Sequence, residues 1–170
     1  MASIYGVELK NVKTWLGQEG YGLQASVYID KKKVGLVTDD AYGGPLRFDF
    51  DTTELDKRAE KYRTEIWNKD LKNADYINLY EGNSFDFNEV FIDDIYNLVE
   101  SQKKWKKAQK TDFKQLVYYK TSENGVEYET CCSDISDEIL IRALAKQSKC
   151  EASDIIIVKR YKDETDFVIA

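Results

Sequence analysis

Residues 17–50 read GQEGYGLQASVYIDKKKVGLVTDDAYGGPLRFDF, and this stretch decides the fold. Apolar and polar residues alternate along it with the period of two that a half-buried strand requires. Leu23, Ala25, Val27 and Ile29 share one face, with Gln24, Ser26 and Tyr28 on the other. Val34, Leu36 and Thr38 then alternate against Lys33, Gly35 and Val37, and Leu46, Phe48 and Phe50 point inward against Arg47 and Asp49. The pattern predicts three consecutive antiparallel strands. Their first turn is a two-residue loop at Asp30-Lys31 or at Lys31-Lys32, and either one puts Val34, Leu36 and Thr38 on the apolar face.

Upstream, residues 3–15 predict one strand whose phase changes. Tyr5, Val7 and Leu9 share a face before Val12 and Thr14 take over, so a bulge is expected near Lys10-Asn11. Gly17, Gly20 and Gly22 follow as turn residues. They lead into a strand rather than a helix, which is the wrong context for a dinucleotide-binding fingerprint.

Downstream, Asp51-x-x-Glu54 predicts a capping box opening a helix over 52–72, with Leu55, Ala59, Tyr62 and Ile66 as its apolar stripe. Residues 75–80 (DYINLY) predict a short strand. A second helix is expected over 87–110, opened by Asp86-x-x-Glu89 with Phe85 stapled to Val90, and its wide apolar stripe implies deep burial.

The last third has a different rhythm. Asn124-Gly125 predicts a hairpin between 113–122 and 126–132, pairing Lys120 with Glu129 and Tyr119 with Thr130. Ser136 caps a third helix with Ile139, Leu140, Ala143 and Leu144 inward, and Ile135 staples onto Leu140. Residues 154–160 predict a final strand with both faces buried. The expected fold class is therefore α+β. An antiparallel N-terminal sheet covered by helices (1–112) is followed by a ββαβ module (113–170), as two domains or around one shared core.

Composition limits function. Twenty-five basic residues against 31 acidic ones give a net charge of −6 over 170 residues. That balance argues against general binding to nucleic acid or anionic membranes. No apolar run approaches the roughly 18–20 residues of a membrane span, and no signal-peptide core follows Met1. Three cysteines, two of them adjacent, make no disulfide framework, so a reduced cytoplasmic protein is expected. The chain contains no histidine, which excludes Ser-His-Asp and Cys-His catalysis within one chain and most zinc sites. No pair of carboxylates stands out as an acid/base couple. A non-enzyme without a cofactor is expected.

Two stretches remain as candidate surfaces. The loops carry Trp15, Tyr21, Asp39, Asp40, Tyr42 and Arg47, of which Tyr21, Tyr42 and Arg47 are residue types that interfaces favour. Asp39-Asp40 before Gly43-Gly44 supplies too few oxygens for calcium, and a solvated turn is the plain alternative. The second stretch is acidic. No basic residue lies between Lys72 and Lys103, while Asp86, Asp93 and Asp94 fall inside that interval. Acids early and lysines late in a helix also complement its macrodipole, which is the structural alternative to a docking surface.

The stretch YGVELKNVKTWLGQEGYGLQASVYIDKKKVGLVTDDAYGGP (5–45) resembles the N-terminal part of small acidic accessory proteins from phages and mobile elements of Gram-positive bacteria. The tail from LVYYKTSENGVEYET (116–130) onward is similar to tails among such proteins. The resemblance implies an anti-defence role, anti-CRISPR inhibition included. Its partner would be a host defence protein or nucleic-acid-handling complex. The alternative is a sponge for a small nucleotide messenger, held where Arg47 meets Trp15, Tyr21 and Tyr42. Exposed strand edges also leave homo-oligomerisation open.

Overall fold

The computed structural model describes residues 1–67, 87–122 and 126–170. Its strands are β1 (Ser3–Ile4), β2 (Val7–Leu16), β3 (Tyr21–Ile29), β4 (Lys32–Asp39), β5 (Arg47–Phe48), β6 (Gln115–Thr121), β7 (Glu127–Cys132), β8 (Ile155–Tyr161) and β9 (Val168–Ile169). The helices are α1 (Thr53–Tyr62, running on into a π-helical turn at Arg63–Trp67), α2 (Phe87–Ala108) and α3 (Asp137–Ser148). The fold is α+β. The chain groups into one compact unit of Met1–Val99 with Val168–Ala170, and a second of Glu100–Phe167. The side chain of Ile66, the 75–80 stretch, Phe85, Asp86 and the Asn124-Gly125 turn lie outside the described residues.

The first unit holds a sheet in the order β5-β4-β3-β2-β1-β9, antiparallel except where β9 joins β1 in parallel. The sequence reading did not anticipate β9. The single strand expected over 3–15 is interrupted, because Tyr5 (φ 47°) and Gly6 (φ 75°) form a two-residue turn that pairs Ile4 with Val7. The bulge near Lys10-Asn11 is present. The register shifts between Lys10 and Lys13, and Asn11 adopts φ 54°.

The turn after β3 is Asp30-Lys31, with φ 49° and 69°, the left-handed pair of a type I′ hairpin. A second bulge then changes the outcome. Tyr28 pairs with Lys33 but Val27 pairs with Gly35, which leaves Val34 as an extra residue. One added residue reverses which side chains face inward. Val37, opposite Ala25, is therefore fully buried, whereas Val34, Leu36 and Thr38 are half-buried. That corrects the expected face. Phe48 and Phe50 do alternate with Arg47 and Asp49, although β5 itself is only two residues long.

Helix α1 buries Leu55, Ala59 and Tyr62 as the spacing predicts. Arg58 ties it to the sheet, donating to the Tyr5 carbonyl (2.6 Å) and to Asp30 (2.9 Å). The expected capping box is absent: Asp51 instead accepts from the Thr53 N–H (2.9 Å), and Glu54 pairs with Lys57. Phe91, Ile92 and Ile95 of α2 are fully buried, in keeping with its wide stripe.

The second unit is the sheet β7-β6-β8, antiparallel throughout. Val117, Tyr119 and Cys132 meet Leu140, Leu144 and Ala145 of α3 and Ile155 of β8, and Ile135 packs against them. Ser136 caps α3 as expected. Ile139 and Ala143 are exposed, because the buried stripe runs through Leu140, Ile141, Leu144 and Ala145 instead. The hairpin register is two residues from the expected one, with Lys120 opposite Glu127 and Tyr119 opposite Tyr128. A shift of two keeps every side chain on its face, and it stacks the Tyr119 and Tyr128 rings 5.5 Å apart. Strand β8 is an edge strand in this sheet, and Ile156 and Val158 are exposed rather than buried.

The bulge at Val34 makes a direct prediction. Val37→Ala removes two buried methyl groups and should lower unfolding stability by about 2 kcal/mol. Leu36→Ala, one position away, should cost well under half as much. Urea denaturation of the two variants checks this, and the reverse order would place Val34 and Leu36 inward after all.

Candidate functional site

Trp15 and Leu16 end β2, and Tyr21 and Gly22 begin β3, so the 17–20 turn sits at one end of the sheet. Asp39 ends β4 directly opposite Leu23. The two loops thus emerge side by side, and the backbone joins them: the Glu19 N–H donates to the Ala41 carbonyl at 3.0 Å.

Side chains then fix the second loop. Asp39 accepts from the Ala41 N–H (2.8 Å) and Asp40 from the Tyr42 N–H (3.2 Å), two successive Asx turns. Ala41 is buried at φ 60°, a conformation a non-glycine residue adopts only when its surroundings impose it. Gly43 (φ 76°) lies so close to Glu19 that a Cβ would fall 2.0 Å from its carboxylate. Arg47 pairs with Asp40 at 3.3 Å, both side chains remaining in water. An exposed pair of this kind contributes at most about 1 kcal/mol.

The apolar side chains on these loops face solvent. Leu16, Tyr21 and Tyr42 are 74%, 77% and 64% exposed, and Trp15 is 38% exposed. The Trp15 ring lies flat on Gly22, where a Cβ would come within 2.4 Å of it. Leu16 escaped the sequence reading, although its place beside Trp15 at a glycine turn was a usable signal.

Helix α2 brings the second candidate stretch to the first. Glu89 accepts from the Leu46 N–H at 2.9 Å, which holds the end of the Asp39–Arg47 segment on the helix. Asp93 follows one turn later. Loss of hydration, then the negative charges of Asp94, Asp39 and Glu89, push its carboxyl above the ordinary aspartate range. Asp93 has neither a hydrogen bond nor an ion pair among the described residues. Asp94 is different, because its carboxylate accepts from the Tyr62 hydroxyl at 2.9 Å and joins α2 to α1. The structure therefore gathers Trp15, Tyr21, Asp39, Asp40, Tyr42, Arg47 and Asp93 onto one unit and uses Asp94 internally. Asp86 lies outside the described residues.

Other chemistry finds little footing. Among the described residues no group of histidine, cysteine, aspartate and glutamate is arranged to hold a metal ion. Cys131, Cys132 and Cys150 are free thiols. Burial and neighbouring negative charge push the first two up, toward the protonated form that is a poor nucleophile. No helix among the described residues is long and apolar enough to cross a membrane.

The charge crowding at Asp93 has a measurable sign. A carboxyl whose folded pKa is raised destabilises the fold as pH climbs from the ordinary aspartate value through the raised one. Asp93→Asn should therefore increase the urea midpoint at neutral pH, and the gain should vanish in acid, below the ordinary aspartate range. A variant less stable than the parent at neutral pH would show that Asp93 has a structural partner.

Comparison of the chain with protein-family models, with curated proteins and with solved structures finds no significant match.

Proposed function

We propose that this chain is a non-catalytic binding protein, a phage or mobile-element inhibitor that blocks a bacterial defence effector, for example a CRISPR effector, by direct protein binding. One observation carries the reading: two loops joined to each other present exposed aromatics beside Asp93, an acid with neither a hydrogen bond nor an ion pair among the described residues. Monomer surfaces seldom expose large apolar side chains together unless they meet a partner. Tyr and Trp anchors ringed by charge are the usual composition of such a contact.

The acidic part is not explained by helix electrostatics alone. Macrodipole stabilisation falls off within the first turn. Glu89 sits in that turn, but Asp93 and Asp94 lie nearly two turns into a helix that begins at Phe87. Asp94 is accounted for by Tyr62. Asp93, which is exposed, is left as an acid among the like charges of Asp94, Asp39 and Glu89. Its natural complement is a basic groove, the kind a nucleic-acid-handling complex offers its substrate.

The nucleotide-sponge reading needs a free cation among the loop aromatics. Arg47 is engaged by Asp40 there, so the protein-binding reading is preferred.

The test is capture of purified defence effectors by the immobilised chain, alongside phage plaquing on a host with an active CRISPR system. Tyr21→Ala with Tyr42→Ala should weaken capture by roughly thirtyfold or more if either tyrosine is a hot spot of about 2 kcal/mol. Asp93→Asn should weaken it further while improving stability. Unchanged capture by the double tyrosine variant would remove the loops from the interface. A small co-purifying mass in native mass spectrometry, with no effector bound, would favour the sponge.

A further inference from the structure

The second unit contains a groove of about 380 Å³ in which neither the fold nor the proposed function has a use. It exists because β7 is an edge strand. Helix α2 lies over the β6 side of the sheet, where Ser101 hydrogen-bonds Tyr118 (2.8 Å) and Trp105 donates to the Lys114 carbonyl (3.2 Å). It reaches outward to β7 through the ion pair of Lys104 with Glu129 (2.5 Å). Leu116 and Cys131, paired neighbours on β6 and β7, form the floor, and Ala108 and Phe113 form a wall.

The chemistry of the lining is specific. Carbon dominates it, and Phe113, one of its lining residues, is 45% exposed. Lys104 and Glu129 cancel each other. Lys107, at the rim, has no ion pair among the described residues, so the groove has a net charge of one cation. Its size falls within the ~300–1,000 Å³ range of small-ligand pockets.

We propose that this groove binds a small amphiphile: an aromatic or aliphatic body lying against Phe113, Leu116 and Cys131, with a single anionic group on Lys107. A nucleotide is a poor fit, because its phosphates and sugar call for several donors, whereas the lining is mostly carbon, Lys104 is engaged by Glu129 and the Thr111 hydroxyl donates to the Ala108 carbonyl. The site is independent of the loop face and stands whether or not that face binds an effector.

Anilinonaphthalene sulfonate and its uncharged counterpart phenylnaphthylamine are suitable probes, since they differ in the anion alone. Titration by fluorescence should show saturable binding of both. Lys107→Met keeps the aliphatic stem, and it should weaken the sulfonate by roughly threefold or more, as expected for a partly exposed charge contact, while leaving the neutral dye unchanged. The unmutated protein supplies an independent readout. Under mildly alkaline conditions the sulfonate should slow alkylation of Cys131 by iodoacetamide. Cys150, which packs with α3 on the other face of the sheet, should react as before. Failure of either dye to saturate, unprotected Cys131, or equal effects of Lys107→Met on both dyes would overturn the proposal.

Discussion

The extra residue at Val34 is the constraint on which the first unit depends. Strand β3 buries Leu23, Ala25, Val27 and Ile29 on one face, so whatever pairs with it must match that face. A regular ladder from the Asp30-Lys31 turn would have presented Val34, Leu36 and Thr38. The bulge instead delivers Gly35 and Val37, and it ends β4 with Asp39 opposite Leu23. That endpoint sets the Asp39 loop beside the 17–20 turn, where Ala41 and Glu19 can bond. The candidate binding face is thus a consequence of register. Shifted by one residue, the same loop would leave the sheet with its side chains reversed.

What the sequence disclosed, and what it withheld, follows from the range of the forces involved. Alternation from Leu23 to Ile29, the stripe Leu55–Ala59–Tyr62 and the Ser136 cap are local, and each was legible. The phase change near Lys10 was legible too, since both halves of β2 show it. The Val34 bulge was not. Val, Leu and Thr on one parity made a convincing apolar face, and the decision against it belongs to Ala25 and Val27 across the ladder. The hairpin register is similar: an Asn-Gly signal is local, whereas the pairing of Tyr119 with Tyr128 rests on contacts across the strands. Strand β9 pairs residues from opposite ends of the chain, and nothing in Val168-Ile169 announces Ser3-Ile4.

The site was half legible for the same reason. Trp15, Tyr21, Tyr42 and the Asp pair stood out by type and by the glycines around them. Their meeting with Glu89 and Asp93 rests on contacts across more than 40 positions, such as Leu46 with Glu89. From sequence, the loops and the acidic stretch looked like rival surfaces; in the fold Glu89 and Asp93 lie beside the Asp39 loop.

Asp93 and Asp94 show how two adjacent, identical side chains acquire opposite roles. Successive residues on a helix point about 100° apart. Asp94 turns toward α1, where the Tyr62 hydroxyl stabilises its charge. Asp93 turns toward the Asp39 loop, where charge meets like charge and its water is partly lost. A neutral side chain there would be spared this like charge. The strain is electrostatic and would be relieved by a cation from outside the chain. On the proposed reading a basic partner would offset that like charge on binding, and aromatic anchors on the adjoining loops would supply the area that charge alone does not. On the proposed reading acid and aromatic belong to one surface, because each would provide what the other lacks: the aromatics affinity, the carboxylates selection of the partner.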